Sequence, residues 1–158
     1  MTATPNELHE GDMAPDFDLP RSGGGNVRLG DLHGKNVVLY FYPKDDTPGC
    51  TKEARSFRDK YARLADANTV VLGISPDSVE SHDRFATKYS LPFMLLADSG
   101  HKVADEYGSW GEKSFMGKSY NGILRNTFLI APDGSIKKIW RKVKPEEHVE
   151  QVAAALGV

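Results

Sequence analysis

The residues best suited to chemistry lie in one stretch, YPKDDTPGCTKEAR, at positions 42–55. It holds the only cysteine of the chain, Cys50. A lone cysteine makes no disulfide within its own chain, so its thiol either packs inertly or reacts. Thr47 stands three residues earlier, and Pro48 and Gly49 lie between. Threonine is favoured just before a helix and proline in its first turn. Cys50 then falls in that first turn, where unbonded backbone amides and the positive end of the helix dipole favour a thiolate. The chemistry on offer is nucleophilic attack by sulfur. Packing would use the same placement: Cys50 continues an apolar stripe through Ala54, Phe57, Tyr61 and Leu64, and buried, inert cysteines are common.

The surrounding elements must hold this stretch in place. Residues 35–43, KNVVLYFYP, form a nearly continuous apolar run ended by Pro43, as expected of a strand buried on both faces. The helix starting near Pro48 follows it directly. TVVLGIS at 69–75 reads as a second buried strand, and DSVESHDRFATKY at 77–89 as a helix with a polar start. FMLLAD suggests a short strand and HKVADEYG a short helix ending at Gly108. NTFLIAPDGSIKKIW, at 126–140, predicts an antiparallel hairpin around Pro-Asp-Gly. A last helix is expected from Pro145 to Gly157. Near the start, FDLP and VRL flank the Gly-rich SGGGN and read as two short strands around a loop. The order predicts an α/β fold, a mixed central β-sheet with helices on both faces, whose first strand–helix–strand unit is a right-handed parallel crossover. In such sheets, ligands bind beyond the carboxyl ends of the strands, which is where Cys50 stands.

Bulk properties narrow the function. The 158 residues suit one domain, spanning 1–158, with a core large enough to fold alone. A net charge of −2 with both signs interspersed argues against nucleic-acid or membrane-surface binding. The start, MTATPNELHEGD, lacks the apolar segment of a signal peptide, so a reducing cytoplasm is the expected compartment. No cofactor and no metal are expected, because the five histidines (9, 33, 82, 101, 148) show no ligand spacing and read as scattered, mostly surface residues. GEKSFMGKS at 111–119 is one residue too long for a phosphate-binding loop and reads as ordinary loop. GISPD lacks the second glycine of a nucleophile elbow.

The run from Pro43 through Thr47 to Cys50 has the form Pro-x-x-x-Thr-x-x-Cys, which resembles the peroxiredoxin active-site signature. The longer blocks VVLYFYPKDDTPGCTKEARSFRDKY, VLGISPDSVESHDRFATKY and GEKSFMGKSYNGILRNTFLI are similar to the bacterioferritin-comigratory, or PrxQ, branch of that family. The likeness runs from about Asp12 to the C-terminus. It implies a thioredoxin-like fold and a thiol-dependent peroxidase acting on hydrogen peroxide and alkyl hydroperoxides. By the same resemblance, Cys50 is the peroxidatic nucleophile and the Thr47 hydroxyl bonds the peroxide and the thiolate. Pro43 shields the pocket from water, and Arg125 holds the thiolate and the reacting oxygens. Read singly, Thr47 could be only a helix cap, Pro43 only a strand end, and Arg125 a surface arginine.

A low thiol pKa would not suffice for such chemistry. Lowering it from about 8.5 to about 6 gains roughly 30-fold in thiolate at neutral pH, and part is lost to weaker nucleophilicity. The remainder must come from donors aimed at the charge of the transition state: the Thr47 hydroxyl, the amides of Gly49 and Cys50, and Arg125. The chain departs from the family pattern in one respect. Branch members carry a second, resolving cysteine either where this chain has Arg55 or where it has Ala86. The resemblance therefore implies a one-cysteine enzyme that needs an external thiol reductant: thioredoxin, glutaredoxin or a low-molecular-weight thiol. The branch suggests a monomer, with a dimer as the alternative. A redox switch or chaperone using the same cysteine would need the same residues. A thioredoxin-type oxidoreductase would need cysteine in place of Thr47.

Overall fold

The computed structural model describes residues 7–158; the first six residues of the MTATPNELHEGD stretch lie outside the described part. The early strands β1 (Asp18–Pro20) and β2 (Asn26–Arg28) pair antiparallel around the glycine loop, as expected. The central sheet is built from β3 (Asn36–Phe41), β4 (Thr69–Ser75), β5 (Met94–Ala97), β8 (Thr127–Ile130) and β9 (Ile136–Trp140), in the order β5-β4-β3-β8-β9. The sheet is mixed: β3, β4 and β5 run parallel, and β8 and β9 continue it antiparallel.

β3 shows why an unbroken apolar run is needed at its centre. Alternate side chains point to opposite faces. Val37, Leu39 and Phe41 enter one core with Phe17, Tyr107 and Phe128. Val38, Tyr40 and Tyr42 enter the other with Phe57, Phe85 and Leu129. Helices cover both faces. On the second lie α1 (Pro48–Asp66), α2 (Val79–Tyr89) and α4 (His148–Leu156), while the short α3 (Lys102–Glu106) sits on the first. Gly73 faces Tyr40 across β3 and β4. A Cβ there would lie 2.9 Å from the Tyr40 ring, so glycine gives the tyrosine its room.

Two expectations need correction. Residues 111–119, read as loop, lie within a hairpin: β6 (Trp110–Phe115) pairs antiparallel with β7 (Lys118–Ile123). Its two-residue turn, Met116-Gly117, has positive φ at both positions, matching the twist of the flanking strands. Largely exposed faces hid the strands from a search for apolar runs. The last helix begins at His148 rather than at Pro145, because residues 145–147 form a turn closed by the Glu147 amide donating to the Lys144 carbonyl. Its end at Gly157, left-handed with φ 78°, is as expected. Among the described residues, no helix is long and apolar enough to cross a membrane.

Candidate active site

Cys50 lies in the first turn of α1 and is 1% exposed. The stripe that continues it is the buried face of the helix, with Ala54, Phe57 and Leu64 fully buried and Tyr61 partly so. Thr47 occupies the N-cap position with extended backbone, but its hydroxyl does not cap. It donates instead to the Lys44 carbonyl at 2.9 Å. The first helical bond is Thr51 N–H to the Thr47 carbonyl, so the amides of Gly49 and Cys50 precede it and remain available to a ligand.

Arg125 approaches from the segment between β7 and β8. Its Nη2 donates to the Cys50 sulfur at 3.1 Å, and its Nη1 donates to Glu53 Oε1 at 3.1 Å. The backbone is pinned too, since the Arg125 carbonyl accepts the Val143 amide. Gly49 makes the approach possible: a Cβ there would stand 2.9 Å from Nη2. Of the residues expected at the site, Arg125 meets Cys50 directly, while Thr47 stands three residues before the thiol with its hydroxyl on the Lys44 carbonyl. Pro43, the fourth, lines the adjoining groove with Thr47, Gly49, Trp110, Phe115, Tyr120 and Arg125; the groove volume is about 700 Å³. The β6–β7 hairpin supplies its apolar wall.

Sequence reading missed Glu53, which is completely buried one helical turn below the thiol. Burial pushes its carboxyl up to about 7, against the opposing pull of the Arg125 charge. Among the described residues, its Oε2 has no hydrogen-bond partner, and neither does the hydroxyl of Tyr40. Burial, followed by the Glu53 charge, holds that phenol well above its ordinary range. Lys113, on the groove wall, is held low by burial and then by the Arg125 charge. The clue to Glu53 was its spacing: position 53 shares a helix face with 50, 54 and 57, so a carboxylate there must be buried.

The histidines also depart from expectation. His9 and His33 are exposed, and His101 stacks on Trp110 with 3.6 Å between ring centroids. His82 and His148, however, are completely buried. Tertiary contacts, not local spacing, put them there. His148 Nε2 lies 2.7 Å from Thr127 Oγ1, and burial lowers its pKa to about 4. Asp45, Asp77 and His82 come within metal-ligand distance of one another. Their facing atoms already hydrogen-bond to protein groups: Tyr42, Ser81, Ser75, the Leu96 carbonyl and each other.

A buried cysteine at a helix start, held by a guanidinium beside a groove, narrows the possible relatives. The AhpC/TSA family model matches residues 10–139. The peroxiredoxin Bcp of Bacillus subtilis is 49% identical over 146 residues, covering 92% of this chain and 93% of that protein. Among solved structures, a mutant of Xylella fastidiosa PrxQ superposes with a TM-score of 0.90 at 36% identity, covering 95% of this chain and 96% of that one. The Xanthomonas campestris bacterioferritin comigratory protein, solved in trapped intermediate and ligand complexes that bear on its alkyl peroxide reduction activity, gives 0.85 at 40% identity, covering 89% and 90%. The fold is the thioredoxin-like one of these proteins, and the chain belongs to the AhpC/TSA family as a Bcp/PrxQ-type peroxiredoxin, a thiol-dependent peroxidase.

Proposed function

We propose that Cys50 is the peroxidatic residue of a one-cysteine enzyme, oxidised by hydrogen peroxide and alkyl hydroperoxides and regenerated by an external thiol. The observation that carries this reading is the Arg125 guanidinium, 3.1 Å from the only sulfhydryl of the chain. A cation there faces the charge that develops on the peroxide. The thiolate attacks one peroxide oxygen. An S–O bond forms and the O–O bond breaks. The electron pair leaves on the second oxygen as hydroxide or alkoxide, which takes up a proton to give water or alcohol. In this reading the Thr47 hydroxyl, released from the Lys44 carbonyl, and the amides of Gly49 and Cys50 bond the peroxide oxygens, and Pro43 keeps water from the sulfur. The wall of Trp110, Phe115 and Tyr120 suits an alkyl tail, in keeping with the alkyl peroxide activity of the Xanthomonas relative.

The sulfenic acid must then be reduced. Arg55 is exposed and Ala86 half-buried, and neither offers a sulfur. A reductant thiol attacks the sulfenic sulfur, releasing water and leaving a mixed disulfide. A second thiol cleaves that disulfide and frees Cys50. Thioredoxin, glutaredoxin or a low-molecular-weight thiol would each serve. The reading takes the whole chain as one domain acting as a monomer in a reducing cytoplasm. The test is intact mass during titration with hydrogen peroxide in the presence of a sulfenic-acid trap, with Cys50→Ser as control. Fast, stoichiometric trapping at Cys50, followed by turnover on adding one of the candidate thiols, is the expected result. Slow or absent modification would overturn the assignment of Cys50.

A further inference from the structure

The two aspartates between Pro43 and Thr47 belong to the signature only as unspecified positions, yet they tie the loop along the whole length of α2. Asp46, left-handed with φ 59°, accepts from Lys88 Nζ at 2.8 Å and from the Tyr89 hydroxyl at 2.7 Å, at the last turn. Asp45 works at the other end and in the interior. Its Oδ1 accepts from the Tyr42 hydroxyl at 2.6 Å, and its Oδ2 accepts from Ser81 Oγ at 2.7 Å and faces His82 Nδ1 at 2.7 Å. His82 Nε2 lies 2.9 Å from the Leu96 carbonyl. A carbonyl only accepts, so Nε2 carries a hydrogen. The 2.7 Å approach of Nδ1 to Oδ2 takes one hydrogen between ring and carboxyl, so the two form a buried hydrogen-bonded pair.

Within residues 43–47, Asp45 is the only buried side chain. The loop that leads to Thr47 and the helix-start amides thus has no fully buried apolar side chain. We infer that the Asp45–His82 pair is the positioning device of the peroxide step: it fixes the loop so that Thr47 and the first amides of α1 face Cys50. The inference rests on Cys50 being the oxidised residue. Misplacing a reacting group by about 1 Å can cost on the order of 100-fold in rate, and the Asp45–His82 pair is the tie of this loop that lies wholly in the interior, whereas the Asp46 ties are exposed.

The test is single-turnover kinetics of wild type, His82→Gln, Asp45→Asn and the double variant. Two rates are followed: oxidation of Cys50 by hydrogen peroxide, and reduction of the resulting sulfenic acid by dithiothreitol. Each single variant is expected to oxidise about 10-fold or more slowly, the double no worse than the singles, with reduction not slowed. Oxidation within about threefold of wild type, or equal slowing of both steps, would overturn the inference. If the variants do not fold, proton NMR of the wild type decides. A downfield, exchange-protected imidazole N–H supports the pair; its absence, or stoichiometric Zn²⁺ binding with loss of that signal, overturns it. Absence of Cys50 oxidation in wild type would instead remove the parent reading.

Discussion

Two carboxylates are buried close to the catalytic loop, and the protein treats them in opposite ways. Asp45 is saturated: both oxygens accept hydroxyls and one faces an imidazole. Glu53 is left half satisfied, with Oε1 on Arg125 and Oε2 on nothing. A saturated buried ion is scaffold, because every way of moving it breaks a bond. A half-satisfied one is held at a cost of about 1–3 kcal/mol and keeps its partner responsive. Arg125 divides its fork between this carboxylate and the Cys50 sulfur. The incomplete pairing falls beside the sulfur, and the more complete pairing falls under the loop that leads to it.

Removing the cation breaks the contrast most severely. Arg125→Ala is expected to lower the rate of Cys50 oxidation by about 100-fold or more, measured by stopped-flow single turnover. It also removes the cation that opposes the burial of Glu53, so the denaturation midpoint should fall most above pH 7, where that carboxyl would otherwise ionise. Activity within about threefold of wild type would rule out the assignment of Arg125.

The second test isolates Glu53. Its folded pKa of about 7 lies above the ordinary 4.5. A raised acid pKa means that the folded state holds a proton the unfolded state has lost. The associated stability is full below about 4.5 and is lost as pH rises through 7. Glu53→Gln keeps the shape without the titration. At pH 5 the variant should match wild type closely, and by pH 8 it should be more stable by about 3 kcal/mol, read from urea denaturation. Equal stability differences at both pH values would show that Glu53 does not titrate in this range. His148, lowered to about 4 by burial, acts with the opposite sign: its stability is present above about 6.5 and lost as pH falls through 4. The two slopes offset each other between roughly 4.5 and 6.5, so the wild type should show a plateau there that the Gln variant lacks.

Much of this arrangement was legible in the sequence, and the omissions have a common cause. β3, β4 and the α1 stripe were readable because continuous or periodic apolar residues report burial locally. Cys50 was placed by Thr47 and Pro48 for the same local reason. Arg125 stands 75 residues away, and no spacing links it to the thiol; the family resemblance alone pointed to it. The Asp45–His82 pair is similarly non-local. Glu53 was masked differently, since its charge suggested solvent although its helix position dictated burial. The β6–β7 hairpin leaves no apolar alternation in the sequence, because its residues are mostly half-exposed or exposed and rich in Lys, Ser and Gly.

Smaller substitutions sharpen the contrast. Thr47→Val should slow peroxide attack on the order of 100-fold while leaving stability nearly intact, because the hydroxyl's one bond is to the Lys44 carbonyl and is worth about 1 kcal/mol. A large stability loss with little change in rate would make Thr47 a structural residue only. Gly49→Ala is the mildest probe. The added methyl would meet Arg125 Nη2 at 2.9 Å, the far end of a flexible side chain, so the guanidinium shifts rather than the backbone. Glu53 and the sulfur should not suffer equally. The Glu53 contact is at a helical position the methyl does not touch, whereas the Nη2 that must move is the one donating to sulfur. The expected result is a loss of about 10-fold in the oxidation rate with the pH dependence of stability unchanged, since a displacement below 1 Å costs less than full misplacement. A flattened pH profile would mean that the fork moves as one body, and that the two halves of the Arg125 interaction cannot be separated.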